Sequence, residues 1–286
     1  MKNTMIPLLV GTVMCCLQLP LIAQSFKEHI SKEFTLSEGA AAQTLFIYNI
    51  NGFIKVEGYA GTKVMIEVDE TISADDNLTL EAGKKEFRLG FDQKTDSIIA
   101  YIAEPFDSRP RQRWNYDHRE INYRYQADYT VKVPNTMNLH ISTVNNGLIN
   151  VSNVSGVLNI NNVNGEITIT NAKGTTNART VNGDIAINYL VNPPEQSSYH
   201  TINGNIDIRY QQDLSADLQF KSMHGDFFTD FPETEILPAS STKNQENKNG
   251  QTIYKINKTP LVRFGKGGKV FKFETLNGNV YIRKQS

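Results

Sequence analysis

Four short polar side chains stand one residue after a glycine, at Glu166, Asp184, Asn205 and Asp226. A column of carboxylates is the raw material of a calcium site, or of an acid/base pair that cleaves polysaccharides as β-helix enzymes do. Short polar residues beside a turn are also what an exposed turn selects on its own account. The Gly-Gly-x-Gly-x-Asp nonapeptide of calcium-binding repeats does not occur. His29, His118, His140, His200 and His224 fall at unrelated places in the pattern, without metal-ligand spacing. The GKGGK run at 265–269 lacks the spacing and the following Ser/Thr of a phosphate loop, and reads as a hairpin turn. No catalytic, cofactor-binding or metal residue is assigned from the sequence.

One segment is richer than a turn requires. Residues 104–126, EPFDSRPRQRWNYDHREINYRYQ, hold the only tryptophan among tyrosines and arginines. Arg, Trp and Tyr are enriched where proteins grip partners or sugars. Arg109, Arg111, Arg113, Trp114, Tyr116 and Arg119 are therefore the candidate partner-binding loop. The alternative is that the rings cover one end of the fold and the arginines are solvated. Glu104, Asp107, Asp117 and Glu120 offset the positive charge, which argues against nucleic acid.

These residues must be positioned by the chain between them, and that chain is periodic. Gly147, Gly156, Gly165, Gly174 and Gly183 are nine residues apart, and Gly204 and Gly225 follow at intervals of twenty-one. Around them recur units such as VNGEITI, VNGDIAI and INGNIDI, with LNGNVYI and INGFIKV at the two ends of the series. Alternation puts the residue two before each glycine, and those two and four after it, on one buried face. Asn-Gly between apolar runs also suits a hairpin. Here Asn-Gly units alternate with Ser-Gly and Lys-Gly units, giving a true period of 18–21 residues and two strands per coil. That period favours a single-domain, all-β solenoid of stacked, parallel β-helix-like coils over an antiparallel meander. Asn146, Asn164, Asn182 and Asn203 are expected to form an amide ladder along one corner.

The regular coils run from about 140 to 230. Capping strands are expected before them and at 253–284, and 233–252 reads as a flexible polar insertion. Residues 1–24 have the layout of a secretory signal peptide with cleavage near Ala23 or Gln24, leaving 25–286 as the mature domain. Its removal takes away both cysteines, so neither a disulfide nor a thiolate nucleophile is expected. The mature chain carries 28 basic and 30 acidic residues, a balance that predicts no nucleic-acid or anionic-membrane partner. No second stretch is long and apolar enough for a transmembrane helix.

The VNGDIAI and INGNIDI units, the YTVKVP at 129–134 and the export signal ending in Ala-Gln together resemble a bacterial adhesin-like family of unknown function, related to head-GIN and autotransporter-adhesin-like domains. The Ala-Gln ending is similar to that of Bacteroidetes envelope proteins. The resemblance covers roughly residues 40–285 and implies an exported β-solenoid in the periplasm, at the outer-membrane periphery or outside the cell, with no catalytic residues to carry over. The function expected is non-enzymatic, a scaffold without cofactors that binds an envelope protein or glycan. The alternative is a polysaccharide-active β-helix enzyme using acids such as Asp184 and Asp226.

Overall fold

A computed structural model describes residues 24–36, 43–110, 120–232, 234–248 and 251–285. In the N-terminal part the strands are β1 (Gln24–Thr35), β2 (Thr44–Tyr48), β3 (Ile54–Tyr59), β4 (Lys63–Ala74), β5 (Arg88–Gln93), β6 (Ser97–Glu104) and β7 (Arg124–Pro134), with helix α1 (Asn77–Glu86) between β4 and β5. The coils follow as β8 (Asn138–Ser142), β9 (Ile149–Ser152), β10 (Leu158–Asn161), β11 (Ile167–Ala172), β12 (Thr176–Arg179), β13 (Ile185–Tyr189), β14 (Ser198–His200), β15 (Ile206–Tyr210), β16 (Ala216–Lys221) and β17 (Phe227–Thr229). The chain ends with β18 (Thr234–Lys248), β19 (Gln251–Phe264), β20 (Lys269–Glu274) and β21 (Val280–Lys284).

Two sheets face each other. The first runs β1-β4-β7-β3-β9-β11-β13-β15-β21-β17 and the second β18-β19-β16-β20-β14-β12-β10-β8-β2-β6-β5. Each coil contributes one strand to each sheet, and its strands pair in parallel with those of its neighbours, as with Ile167 on Ile185 and Leu158 on Thr176. The solenoid with end caps expected from the period is therefore present, with two sheets per coil. Its interior is a continuous apolar stack that includes Ile149, Ile167, Ile185, Ile206 and Val280 from one sheet and Leu139, Leu158, Tyr199 and Phe273 from the other. Near the C-terminal end the stack becomes aromatic. The hydroxyl of Tyr199 meets those of Tyr189 at 2.8 Å and Tyr210 at 3.0 Å, so these three buried phenols satisfy one another.

The corner chemistry differs in detail from the sequence reading. The inward residue before each glycine is a hydrogen-bonding side chain: Thr180, Thr201 and Thr275 donate to the carbonyls of Gly165, Gly183 and Gly204 at 2.9–3.1 Å, and the Asn162 amide donates to Gly147 at 2.6 Å. Val163 and Ile202, expected to be buried, are only half-buried beside them. The amide ladder exists and is longer than expected: it runs Asn51, Asn145, Asn164, Asn182, Asn203, Asn277, each Nδ2 donating to the preceding Oδ1 at 2.7–3.2 Å, and ends on His224. Asn145 takes the rung assigned to Asn146. The coil carries one extra residue there, and Asn146 absorbs it in a left-handed conformation with φ 51°.

Chain order and stacking order diverge at both ends. Between β3 and β8 the chain builds a cap: β7 covers β3, antiparallel β4 and β1 extend that sheet, and β6 and β5 extend the other beyond β2. The one described helix, which the sequence reading missed, belongs to this cap. Asp76 caps its start through the Thr79 N–H, and Leu80 is buried in a small cluster with Ile72, Phe87 and Tyr123. At the other end the last coil, β20 and β21, does not cap the stack. It lies inside it, between β14–β15 and β16–β17. The capping element is the antiparallel pair β18 and β19, anchored on β16, so 234–248 and 251–252 are strand where a loop was expected. GKGGK closes no hairpin either, because β16 lies between the two strands it connects. Three of its glycines take positive φ, at 56°, 71° and 122°, to make that crossing.

One residue of the cap carries a pH prediction. Glu70 sits on the inward row of β4, 6% exposed, opposite Glu28 on β1. Burial, and then the Glu28 charge, push its carboxyl up to about 7 against a smaller pull from Arg88. A pKa raised on folding means that the folded state holds a proton the unfolded chain releases, so the penalty is absent below the ordinary carboxylate range and complete once pH passes 7. Glu70→Gln is expected to raise the melting temperature at pH 8 by on the order of 5 °C and to leave it unchanged at pH 4. Equal shifts at both pH values would show that ionisation is not the cause.

Candidate functional site

Of the acid column, Glu166 and Asp184 stack in register, but Asp226 is separated from them. Asn279 from the intercalated coil comes between Asn205 and Asp226, so that the order is Asp184, Asn205, Asn279, Asp226. Each of the first three side chains accepts the next coil's backbone N–H, at 2.7 Å for Asp184 and 2.9 Å for Asn205 and Asn279. These residues satisfy the backbone at a corner. Among the described residues no group of three or more His, Cys, Asp or Glu is arranged to hold a metal ion.

Of the candidate loop only Arg109 is described; Arg111, Arg113, Trp114, Tyr116 and Arg119 lie outside the described residues. Arg109 is held by the cap. Its guanidinium forks onto Asp107, reaches Asp92 at 3.1 Å and lies 3.9 Å over the Tyr101 ring. It latches the loop's first residues to Asp92 of β5 and Tyr101 of β6.

The outer face of the second sheet carries a groove among the described residues. Parallel register stacks its outward side chains into two rows. One reads Phe46, His140, Asn159, Asn177, Ser198, Lys272; the other reads Tyr48, Ser142, Asn161, Arg179, His200, Glu274. A groove of about 580 Å³ follows these rows from His140 on β8 to Lys272 and Glu274 on β20. Four strand steps separate its ends, a span of about 19 Å.

The groove is chemically asymmetric. At its β8 end His140 packs against Phe46 at 5.4 Å and Tyr48 at 5.8 Å, forming a half-buried aromatic platform. Burial holds the His140 imidazole below its ordinary pKa, so it is a neutral ring at pH 7. Along the middle, Asn177 donates to Asn159 at 3.1 Å and accepts from Ser198 at 2.7 Å. At the far end burial raises the Glu274 pKa, but the opposing pull of the Lys221 ammonium and His200 wins, leaving the carboxylate ionised and paired. Arg179 and Lys272 are exposed and make no ion pair among the described residues.

None of these rows was singled out from the sequence. The available signal was positional. Asn159 and Asn161 stand three and five residues after Gly156, and Asn177 and Arg179 stand the same distances after Gly174.

Residues 125–259 match the family model described as Toastrack DUF4097. This agrees with the resemblance carried by the repeat units. No curated protein matches the chain. Among solved structures, a "putative cell adhesion protein" from Clostridium sporogenes is 10% identical with a TM-score of 0.42, the match covering 91% of this chain and 100% of that one. A "putative adhesin" from Bacteroides fragilis is 11% identical, TM-score 0.36, covering 90% and 97%. A "putative lipid binding protein" from Parabacteroides distasonis is 8% identical, TM-score 0.23, also covering 90% and 97%. No described helix is long and apolar enough to cross a membrane.

Proposed function

We propose that this chain, matched over residues 125–259 to the Toastrack DUF4097 family, is a non-enzymatic binding scaffold of the cell envelope that holds a glycan along the outer face of its second sheet. Export would use residues 1–24 as signal.

The observation that carries this reading is a groove lined by His140, a row of amides and a guanidinium with no ion pair among the described residues, with Phe46 and Tyr48 packed on His140 one strand step beyond its β8 end. Sugars offer apolar ring faces, which stack on aromatic side chains, and closely spaced hydroxyls, which amide and guanidinium groups can bridge. Because the groups stand on a hydrogen-bonded sheet, little of the binding energy is lost to ordering them. Hydrolysis fits poorly. Among the described residues Glu274 is the one carboxylate lining the groove, and it is paired. Asp184 and Asp226 are three strand steps apart, about 14 Å, against the roughly 5–9.5 Å between the two carboxyls of a glycosidase, and Glu166, one step from Asp184, accepts from the Thr168 hydroxyl while Asp184 accepts from the Asn205 N–H.

The test is a glycan array probed with residues 25–286, followed by calorimetry on the best ligand. The double variant Phe46→Ala/Tyr48→Ala removes outward rings without opening the core and is expected to weaken binding about tenfold or more, with unchanged melting temperature. Undiminished affinity in that variant would remove the basis for assigning this face.

A further inference from the structure

We infer that the glycan is anionic, a polymer or oligomer of carboxylated sugars whose acid groups meet Arg179 and Lys272. This inference rests on the glycan reading of the groove.

The chain as a whole is nearly neutral, with 29 basic and 30 acidic residues, whereas the groove is not. Its Glu274 is neutralised by Lys221, and His200 stands 3.4 Å from the same carboxylate. Arg179 and Lys272 remain as two uncompensated cations on a face with no other described carboxylate in its lining. Arg179 is flanked in register by Asn161 on one side and His200 on the other, so its planar fork is bordered by groups able to bond hydroxyls. Lys272 is two strand steps away, in the neighbouring row. The backbone separation, about 11–12 Å from strand spacing and rise, is roughly the length of two pyranose rings. A strand-crossing oligosaccharide with an acid on alternate residues would place a carboxylate at each cation and a ring face over His140 and Phe46. A neutral glycan would leave both charges unanswered, and a planar carboxylate suits the Arg179 fork better than a solvated hydroxyl.

The experiment measures binding of residues 25–286 to oligouronides, to the same oligomers with their carboxyls reduced to alcohols, and to sulfated oligosaccharides of equal length. The expected result is tightest binding to the oligouronides, about tenfold or more weaker binding after carboxyl reduction, and steep weakening with added salt. Arg179→Gln and Lys272→Gln should each cost about tenfold for the oligouronide and distinctly less for the reduced oligomer, which keeps only the hydroxyl contacts. Equal binding of acid and reduced oligomers would overturn this inference and leave the glycan reading standing. Sulfated sugars bound as tightly as carboxylated ones would overturn the choice of carboxylate. Binding of no sugar in any form would overturn both readings.

Discussion

Replacing Gly204 by alanine is expected to lower the melting temperature by roughly 6–12 °C, corresponding to about 3 kcal/mol. A Cβ at this position would stand 2.0 Å from the carbonyl oxygen of Gly183 in the coil below. That oxygen is fixed, because it accepts the buried Thr201 hydroxyl at 2.9 Å. The coils cannot move apart without also stretching the Asn203 to Asn182 rung at 2.7 Å and the Ile185 N–H bond to Asn205 at 2.9 Å. The requirement for glycine here is close approach between coils, repeated at Gly165, Gly278 and Gly225, where the corresponding distances are 2.0, 1.9 and 1.9 Å. Gly225→Ala is expected to cost less, since it leads into β17, which pairs on one side only among the described strands and can tilt away. Thermal unfolding of the two variants side by side checks the argument, and equal losses would mean that the stack does not confine the glycines in this way.

Ending the chain after Gly268 is expected to abolish cooperative folding of the C-terminal half. A terminal coil that merely capped the stack could be removed at the cost of its own contacts. β20 and β21 instead pair on both sides, and their Phe271, Phe273, Val280 and Ile282 are at most 2% exposed. Their removal would leave β14 and β15 with an open edge and β17 without a sheet partner among the described strands. Amide exchange should then show loss of protection across 198–210 as well as 216–229. Where the truncated chain proves insoluble, Phe273→Ala gives a measurable version, with an expected loss of about 3–5 kcal/mol. A truncated protein with native melting and protection confined to a lost terminus would contradict the intercalated arrangement.

The coils could be read from the sequence because the chemistry that makes them is local. An Asn-Gly corner followed by two alternating apolar residues recurs wherever a coil turns, and its alternation with Ser-Gly and Lys-Gly corners betrays two strands per coil. The stacking order could not be read in this way. LNGNVYI at the C-terminus has the same corner as INGNIDI, so nothing in its residues says whether it is last or next to last. Asn146 reads as a rung in the sequence because an insertion of one residue shifts the register without disturbing the motif. The candidate face stayed hidden for a different reason: His140, Asn159, Asn177, Ser198 and Lys272 form one row but share no residue type, so only the register reveals them as neighbours.

The amide ladder has a further consequence. Every rung donates in the same direction, from Asn145 to Asn51 and onward to Asn277 to Asn203. The hydroxyl-to-carbonyl bonds at the glycines point the same way. The upper surface of one coil is thus a mould for the lower surface of any other, like identical bricks with studs above and sockets below. This interchangeability lets the chain leave the stack after β15, build β16 to β19 further out and return to seat its final coil in the gap. It also means that such a protein can lengthen by duplicating a coil at any internal level, with its outward side chains free to change while the mould is preserved.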